Sequence, residues 1–202
     1  MEPLPSSPEP VNAGEASGAS IATDTPNKSG ATVRVAFEWI GLVVLALIIA
    51  LLIKTFLFQA FYIPSESMVP TLKVHDRVLV NKLSYKLHPV HRGDIIVFTA
   101  PPNTDPGIND LVKRVVGLPG ETVSAHGGHV YIDGKELSEP YLPAHMYTSD
   151  FSEPKLPPNS YWVMGDNRIN SKDSRAFGPI TKGKIVGRVF VRIWPLNRLD
   201  LM

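Results

Sequence analysis

Three textures of hydrophobic and polar positions follow one another along the chain. From Trp39 to Phe58 run 20 residues in which Lys54 is the only charge. At about 1.5 Å per residue this run matches the roughly 30 Å hydrocarbon core of a bilayer, and it predicts one transmembrane helix. Lys54, near its end, can snorkel to the headgroups, while Trp39 and the group Phe56, Phe58, Phe61 and Tyr62 suit the interfaces. A buried core helix is the alternative, and the length of the run argues against it. After Pro70 come short alternating or β-branched runs, "DRVLVNKL", "GDIIVFTA", "DLVKRVVG", "HVYIDGKEL", "SYWVMGD" and "GKIVGRVFVRIW", which predict strands. Pro and Gly clusters punctuate them, and "IDGK" is a two-residue hairpin signal. No long amphipathic helical pattern interrupts them, so the fold class expected is mainly β: an antiparallel β-sheet domain preceded by a single N-terminal transmembrane helix.

The first 30 or so residues are mostly Pro, Ser, Ala and Gly with Glu2, Glu9, Glu15, Asp24 and Lys28, too poor in large apolar groups to offset the entropy of ordering. They lack the basic start and small-residue cleavage site of a signal peptide, so a retained, disordered tail is expected. The predicted organisation is therefore a tail over 1–33, an anchor over 34–60 and a β-rich domain over 61–202. No repeat period and no second span is visible. Lys28 and Arg34 before the span give a weak positive-inside bias that leans toward a cytoplasmic N-terminus.

At 202 residues the chain holds one ordinary domain and an appendage. Its 20 Lys and Arg against 19 Asp and Glu leave a net charge of +1, which provides no strong field toward nucleic acid. There are no cysteines, which removes disulfides, thiolate metal sites and a thiol nucleophile. Serine, lysine, histidine and the carboxylates remain as reactive groups.

Two serines stand where the apolar segment ends, in "FYIPSESMVPTL". In an extended segment Ser65 and Ser67 project to one face and Glu66 to the other, so that one hydroxyl attacks while its neighbour assists. Serine is a weak nucleophile until a base takes its proton, and histidine or a desolvated lysine can do so. In "DLVKRVVGLPGE", Leu111, Lys113 and Val115 share one face, the buried one if Arg114 points to solvent. Burial disfavours the ammonium form, and a pKa near 8 requires roughly 3 kcal/mol of differential solvation. Taken alone, each fragment is also what a helix-exit turn or a strand lysine reaching for water would look like. A third segment, "MGDNRINSKDSRAFGPI", packs Asp166, Asn167, Arg168, Asn170, Ser171, Asp173, Ser174 and Arg175 into ten positions, denser in bidentate partners than a generic solvated loop.

Together "PSESMVPTL", "HDRVLVNKL", "KRVVGLPGE" and "GDNRINSKDSR" resemble, in order and spacing, the motifs of bacterial type I signal peptidases, the membrane-anchored Ser/Lys proteases that remove signal peptides from exported proteins. The resemblance implies Ser67 as nucleophile, Lys113 as general base, and Ser65 as an oxyanion-hole donor beside the Ser67 backbone amide. It also implies Ser171 as the residue orienting the lysine, Asp173 and Arg175 as a supporting pair, and structural roles for Asp166, Arg168 and Arg114. The implied substrates are preproteins cleaved after small residues in an Ala-x-Ala pattern, with membrane lipid and the export translocon as neighbours and no nucleic acid or cofactor. The implied place is the plasma (inner) membrane, a thylakoid membrane being the alternative, with the catalytic domain outside the cytoplasm. Glu66 departs from the small residue often found between the two serines, and Ile169 stands where Asp or Asn is common.

Six histidines raise a metal reading, since His88 and His91 lie three apart and so do His126 and His129. Both pairs sit in Gly and Pro turns without a helical acidic partner, so solvated turn histidines are expected. The competing readings of the whole are another Ser/Lys protease with a different substrate, and a membrane-tethered β module that binds extracytoplasmic peptides.

Overall fold

A computed structural model describes residues 28–202 apart from 103, 105, 153 and 154, without the side chains of 28–33, 36 and 54–56. Most of the expected tail thus lies outside the described residues. The chain divides into two compact units, Met1–Leu45 and Ala46–Met202. Within the first, the described residues are helical. The second holds the rest of that helix and, among the described residues, every strand.

Helix α1 (Lys28–Phe56) runs 29 residues. Its apolar side chains from Trp39 to Ile53 are exposed. Among the described residues no helix is long and apolar enough to cross a membrane. Lys54 and Phe56, near the end of the expected span, fall among the side chains left out. Phe58, the last residue of the apolar run, already belongs to strand β1 (Phe58–Tyr62).

The strands that follow are β2 (Arg77–Asn81), β3 (Ile95–Thr99), β4 (Asp110–Gly117), β5 (Val123–His126), β6 (His129–Ile132), β7 (Lys135–Glu136), β8 (Phe151–Ser152), β9 (Ser160–Met164), β10 (Ile180–Thr181), β11 (Ile185–Trp194) and β12 (Asp200–Leu201). Two short helices, α2 (Ser84–Leu87) and α3 (Ser174–Phe177), lie between them. The larger sheet has the order β1-β2-β11-β3-β4-β9-β10, with β12 beside β11, and the smaller one the order β7-β6-β5-β8. All pairings are antiparallel. The mainly antiparallel β class expected from the alternating runs is what the chain adopts.

Strand alternation sends neighbouring side chains to opposite faces, and here both faces are covered. Ile95 and Val97 join Ile63, Met68, Leu72, Val78, Val80 and Val189 in one cluster, whereas Ile96 and Phe98 join Val115, Tyr161, Val163 and Ile180 in a second. A third cluster links the two sheets through Val116, Trp162 and Met164 on one side and Val123, Ala125 and Val130 on the other. Strand β4, an interior strand of the larger sheet, is therefore shielded on both faces. Arg114 is buried rather than directed to solvent, because the segment after β7 brings the Tyr141 ring over its guanidinium at 3.9 Å.

Candidate active site

The turn after β1 carries the two serines. It is a compact turn rather than the extended segment the alternation argument assumed: the Val69 N–H donates to the Glu66 carbonyl at 3.0 Å and the Leu72 N–H to the Met68 carbonyl at 2.9 Å. Met68 and Leu72 bury their side chains in the cluster around Val78 and Val80, which fixes the turn from below. Despite the different backbone, Ser65 Oγ and Ser67 Oγ lie 3.3 Å apart. The hydroxyls meet because the chain curls, not because it is pleated.

Lys113 reaches this turn from β4, where it stands opposite Ile96. Its Nζ lies 2.8 Å from Ser67 Oγ and 2.9 Å from the Val112 carbonyl oxygen. The lysine is only 2% exposed and Ser67 9%. Burial pushes the Lys113 ammonium down to about 8, against the charges of Asp173 and Asp166, which pull it up. In the neutral amine the same separation lets the Ser67 hydroxyl donate to nitrogen, the arrangement proton transfer needs. A cleft of about 220 Å3 opens over the pair, lined by Ser65, Ile108, Leu111, Asn170 and Lys172.

The loop from Gly165 to Asp173 supports the pair from the side. The Asn167 backbone N–H donates to the Ser67 carbonyl at 3.1 Å, and its side-chain amide donates to the Glu66 carbonyl at 3.2 Å. Asp166 accepts from Arg114 Nε and Nη2 at 2.8 and 2.6 Å and from the Thr71 hydroxyl at 2.5 Å. The loop thus grips both ends of the nucleophile turn. Asp173 caps α3, accepting from the Arg175 N–H at 3.2 Å and from its guanidinium at 2.8 Å twice, and it accepts from the Gly165 N–H at 3.0 Å. Burial alone would raise the Asp173 carboxyl, but the bonds and charge of Arg175 with the Gly165 amide outweigh it and hold the group below its ordinary value. Arg168, also buried, pairs with Glu139 and donates to Thr148 at 3.0 Å.

Ser171 lies beside this constellation but differs from expectation in its bonding. Its buried Oγ makes no well-aligned hydrogen bond among the described residues, though it stands near enough to the Asp173 carboxylate to help hold that group below its ordinary value, and the second oxygen on Lys113 Nζ is that of Val112. Gly165 explains how close the parts are: a Cβ there would collide with Ser171 Oγ and the Ser67 carbonyl oxygen. The histidines take no part. His88 and His91 stack on each other with centroids 6.1 Å apart, and His129 pairs with Glu136 at 3.1 Å. Among the described residues no group of three or more His, Cys, Asp or Glu could hold a metal ion.

Four residues of this arrangement escaped the motif reading: Thr71, Glu139, Tyr141 and Arg192, whose Nη1 donates to the Thr71 carbonyl at 2.6 Å. Thr71 belongs to the nucleophile motif and could have been found there. Glu139 and Tyr141, in "SEPYL", carry no local signal, since their importance comes from partners about 30 positions away.

Comparison with known proteins adds to this geometry. The family described as "Signal peptidase, peptidase S26" matches residues 36–194. The chain is 47% identical over 169 residues to a signal peptidase I of Leptolyngbya laminosa, covering 80% of this chain and 81% of that protein. It is 39% identical over 175 residues to signal peptidase I S of Bacillus subtilis, covering 80% and 91%. A crystal structure of a signal peptidase I from Enterococcus faecalis aligns with a TM-score of 0.45 at 36% identity, over 50% of this chain and 97% of that one.

Proposed function

The chain belongs to the signal peptidase family, peptidase S26, serine hydrolases that remove signal peptides from exported preproteins, and from that premise we propose that Ser67 and Lys113 are its catalytic pair. The observation that carries the assignment is the 2.8 Å approach of a buried lysine, its pKa lowered to about 8, to a serine hydroxyl. An ordinary lysine at neutral pH is protonated and cannot act as a base.

In the proposed reaction neutral Lys113 Nζ takes the Ser67 proton as Oγ bonds to the scissile carbonyl carbon. The ammonium then gives that proton to the departing amine as the C–N bond breaks, leaving an ester on Ser67. Water attacks the ester, its proton passing to Lys113 and back to Ser67 as the acid leaves. The Ser67 N–H, which has no acceptor among the described residues, and the Ser65 hydroxyl are the proposed oxyanion donors. Ser171, buried beside Gly165 and the Ser67 carbonyl, is assigned to orient the lysine, and Asp173 with Arg175 to brace the loop.

The anchor and topology belong to the same proposal. The exposed apolar side chains of α1 from Trp39 to Ile53 support a membrane-embedded helix, and the apolar run from Trp39 to the end of α1 at Phe56 falls within the roughly 17 to 25 residues that one span takes. The N-terminus is assigned to the cytoplasm and the β domain to the other side of the plasma membrane, or to the lumen if the membrane is thylakoid. Ser67 follows the end of α1 by 11 residues, so a preprotein whose apolar segment is still in the bilayer, close to the export translocon, presents its cleavage site at the same surface. Specificity for Ala-x-Ala is carried over from the resemblance. The decisive assay is cleavage of a preprotein by the detergent-solubilised chain: Ser67→Ala and Lys113→Ala should each abolish turnover with the β signal of circular dichroism unchanged. Retention of most activity by Lys113→Ala would refute the pair.

A further inference from the structure

Away from the serines, the larger sheet ends in a basic concavity. Lys82, Lys86 and Lys182 line a cavity of about 440 Å3 together with Tyr85, Ile185 and Val186, and among the described residues no acidic one lines it. None of the three lysines has an ion-pair or hydrogen-bond partner for its ammonium among the described residues. Three like charges around one apolar floor repel one another, and a shared anion relieves that repulsion.

Strand register explains why residues 100 positions apart meet here. Asn81 pairs with Phe58 on one side and Arg188 on the other, so Lys82 leaves β2 between the start of β1 and the start of β11. A 3-10 turn, Lys182–Lys184, leads into β11 from the same end, and α2 contributes Lys86 in its last turn. The same end of the sheet receives the chain from α1. The Lys82 N–H donates to the Leu57 carbonyl at 2.9 Å, and the Leu57 N–H donates to Ile53 at 2.9 Å.

We propose that Lys82, Lys86 and Lys182 form a docking site for the phosphate of an anionic phospholipid, holding this end of the sheet against the membrane surface. The proposal rests on the reading of α1 as the anchor: the residue bonded to Lys82 is the one that follows Phe56, so the lysines lie where the span leaves the bilayer and where headgroup phosphates are found. Lysine is a compact point charge on a flexible stem, suited to a phosphate that arrives in varied orientations, and the apolar floor accommodates glycerol carbons. A membrane surface also supplies many copies of the ligand at one level, which makes a shallow site sufficient.

The test uses the full-length chain. Flotation on pure phosphatidylcholine vesicles after alkaline carbonate washing reports the anchor alone. Native mass spectrometry in detergent with equal phosphatidylglycerol and phosphatidylcholine reports the site, and phosphatidylglycerol should be retained preferentially. Each Lys→Gln change should lower that retention about fivefold, the ratio expected for one basic residue at an anionic surface. The triple Lys→Arg variant should keep the preference, and the triple Lys→Gln variant should still cleave a soluble peptide at the wild-type rate. If the triple variant loses peptide cleavage, the single Lys86→Gln change decides the matter by the same fivefold criterion. Equal retention of both lipids, or undiminished phosphatidylglycerol retention in the Gln variant, overturns the proposal. Displacement of the lipid by excess inorganic phosphate overturns it as well, marking a free-anion site instead. Flotation without lipid preference refutes the docking site and spares the anchor, whereas preference without carbonate-resistant flotation supports the site and refutes the anchor.

Discussion

Replacing Lys113 by Met should make the protein inactive yet change its stability in a way that depends on pH. Both side chains are long and unbranched, so the packing change is small, under about 1.5 kcal/mol. The charge term is larger. Lys113 has a pKa of about 8 in the folded protein against 10.5 unperturbed. Between those values the unfolded chain binds the proton more strongly than the folded one, so stability rises with pH through this window. Below about pH 8 the folded protein carries the full penalty, about 3 kcal/mol, and above about pH 11 it carries none. The Met variant never carries it. The lost bonds to Ser67 and Val112 oppose the gain by about 1 kcal/mol each and act at both extremes. Their size therefore cancels when the difference between wild type and variant at one pH is compared with the difference at the other. Urea unfolding of wild type and Lys113→Met, followed by tryptophan fluorescence in detergent at pH 7 and pH 11, should show the stability difference shifting by about 3 kcal/mol in favour of wild type at the higher pH. A difference that is the same at both pH values would refute desolvation as the source of the lysine's low pKa, and with it the reason Lys113 can serve as a base.

Because only the neutral amine accepts a proton, kcat/KM should rise about tenfold per unit below a bend near pH 8, about 90-fold from pH 6 to 9, and a flat profile would exclude Lys113 as base. Gly165→Ala places a methyl group against Ser171 Oγ and the Ser67 carbonyl, and since a displacement of about 1 Å costs on the order of 100-fold, kcat should fall by about that factor in single-turnover assays while the far-ultraviolet spectrum stays native. A preprotein with Ala immediately before the cut should be processed and the same protein with Phe or Trp there should not, as read by gel mobility; equal processing would favour a protease of other specificity. Protease added outside spheroplasts should digest the β domain and spare an epitope at residue 1, and the reverse pattern would refute the assigned orientation.

The linear sequence was sufficient for whatever depends on neighbours in the chain. Alternating β-branched runs separated by Pro and Gly specify strands whatever lies opposite them, and the mainly antiparallel sheet follows. The motifs were likewise legible, because Ser65, Ser67, Lys113 and the loop from Asp166 to Arg175 each sit in a short dense pattern. Alternation alone misjudged Arg114, which is buried because a segment far along the chain brings Tyr141 over it. It also misjudged the serine turn, where a curled backbone rather than a pleat sets the 3.3 Å between hydroxyls. No local pattern reveals that Val112 rather than Ser171 provides the second oxygen for Lys113, since that depends on angstrom-scale placement between β4 and the distant loop. The lysine's low pKa is tertiary for the same reason: strand propensity places Lys113 in β4, but only the layers packed on both faces of that strand remove its water. The basic concavity is the extreme case. Lys82, Lys86 and Lys182 are unremarkable surface residues in the sequence, and the antiparallel register of β2 with β1 and β11 is what turns three separate charges into one field at the end of α1.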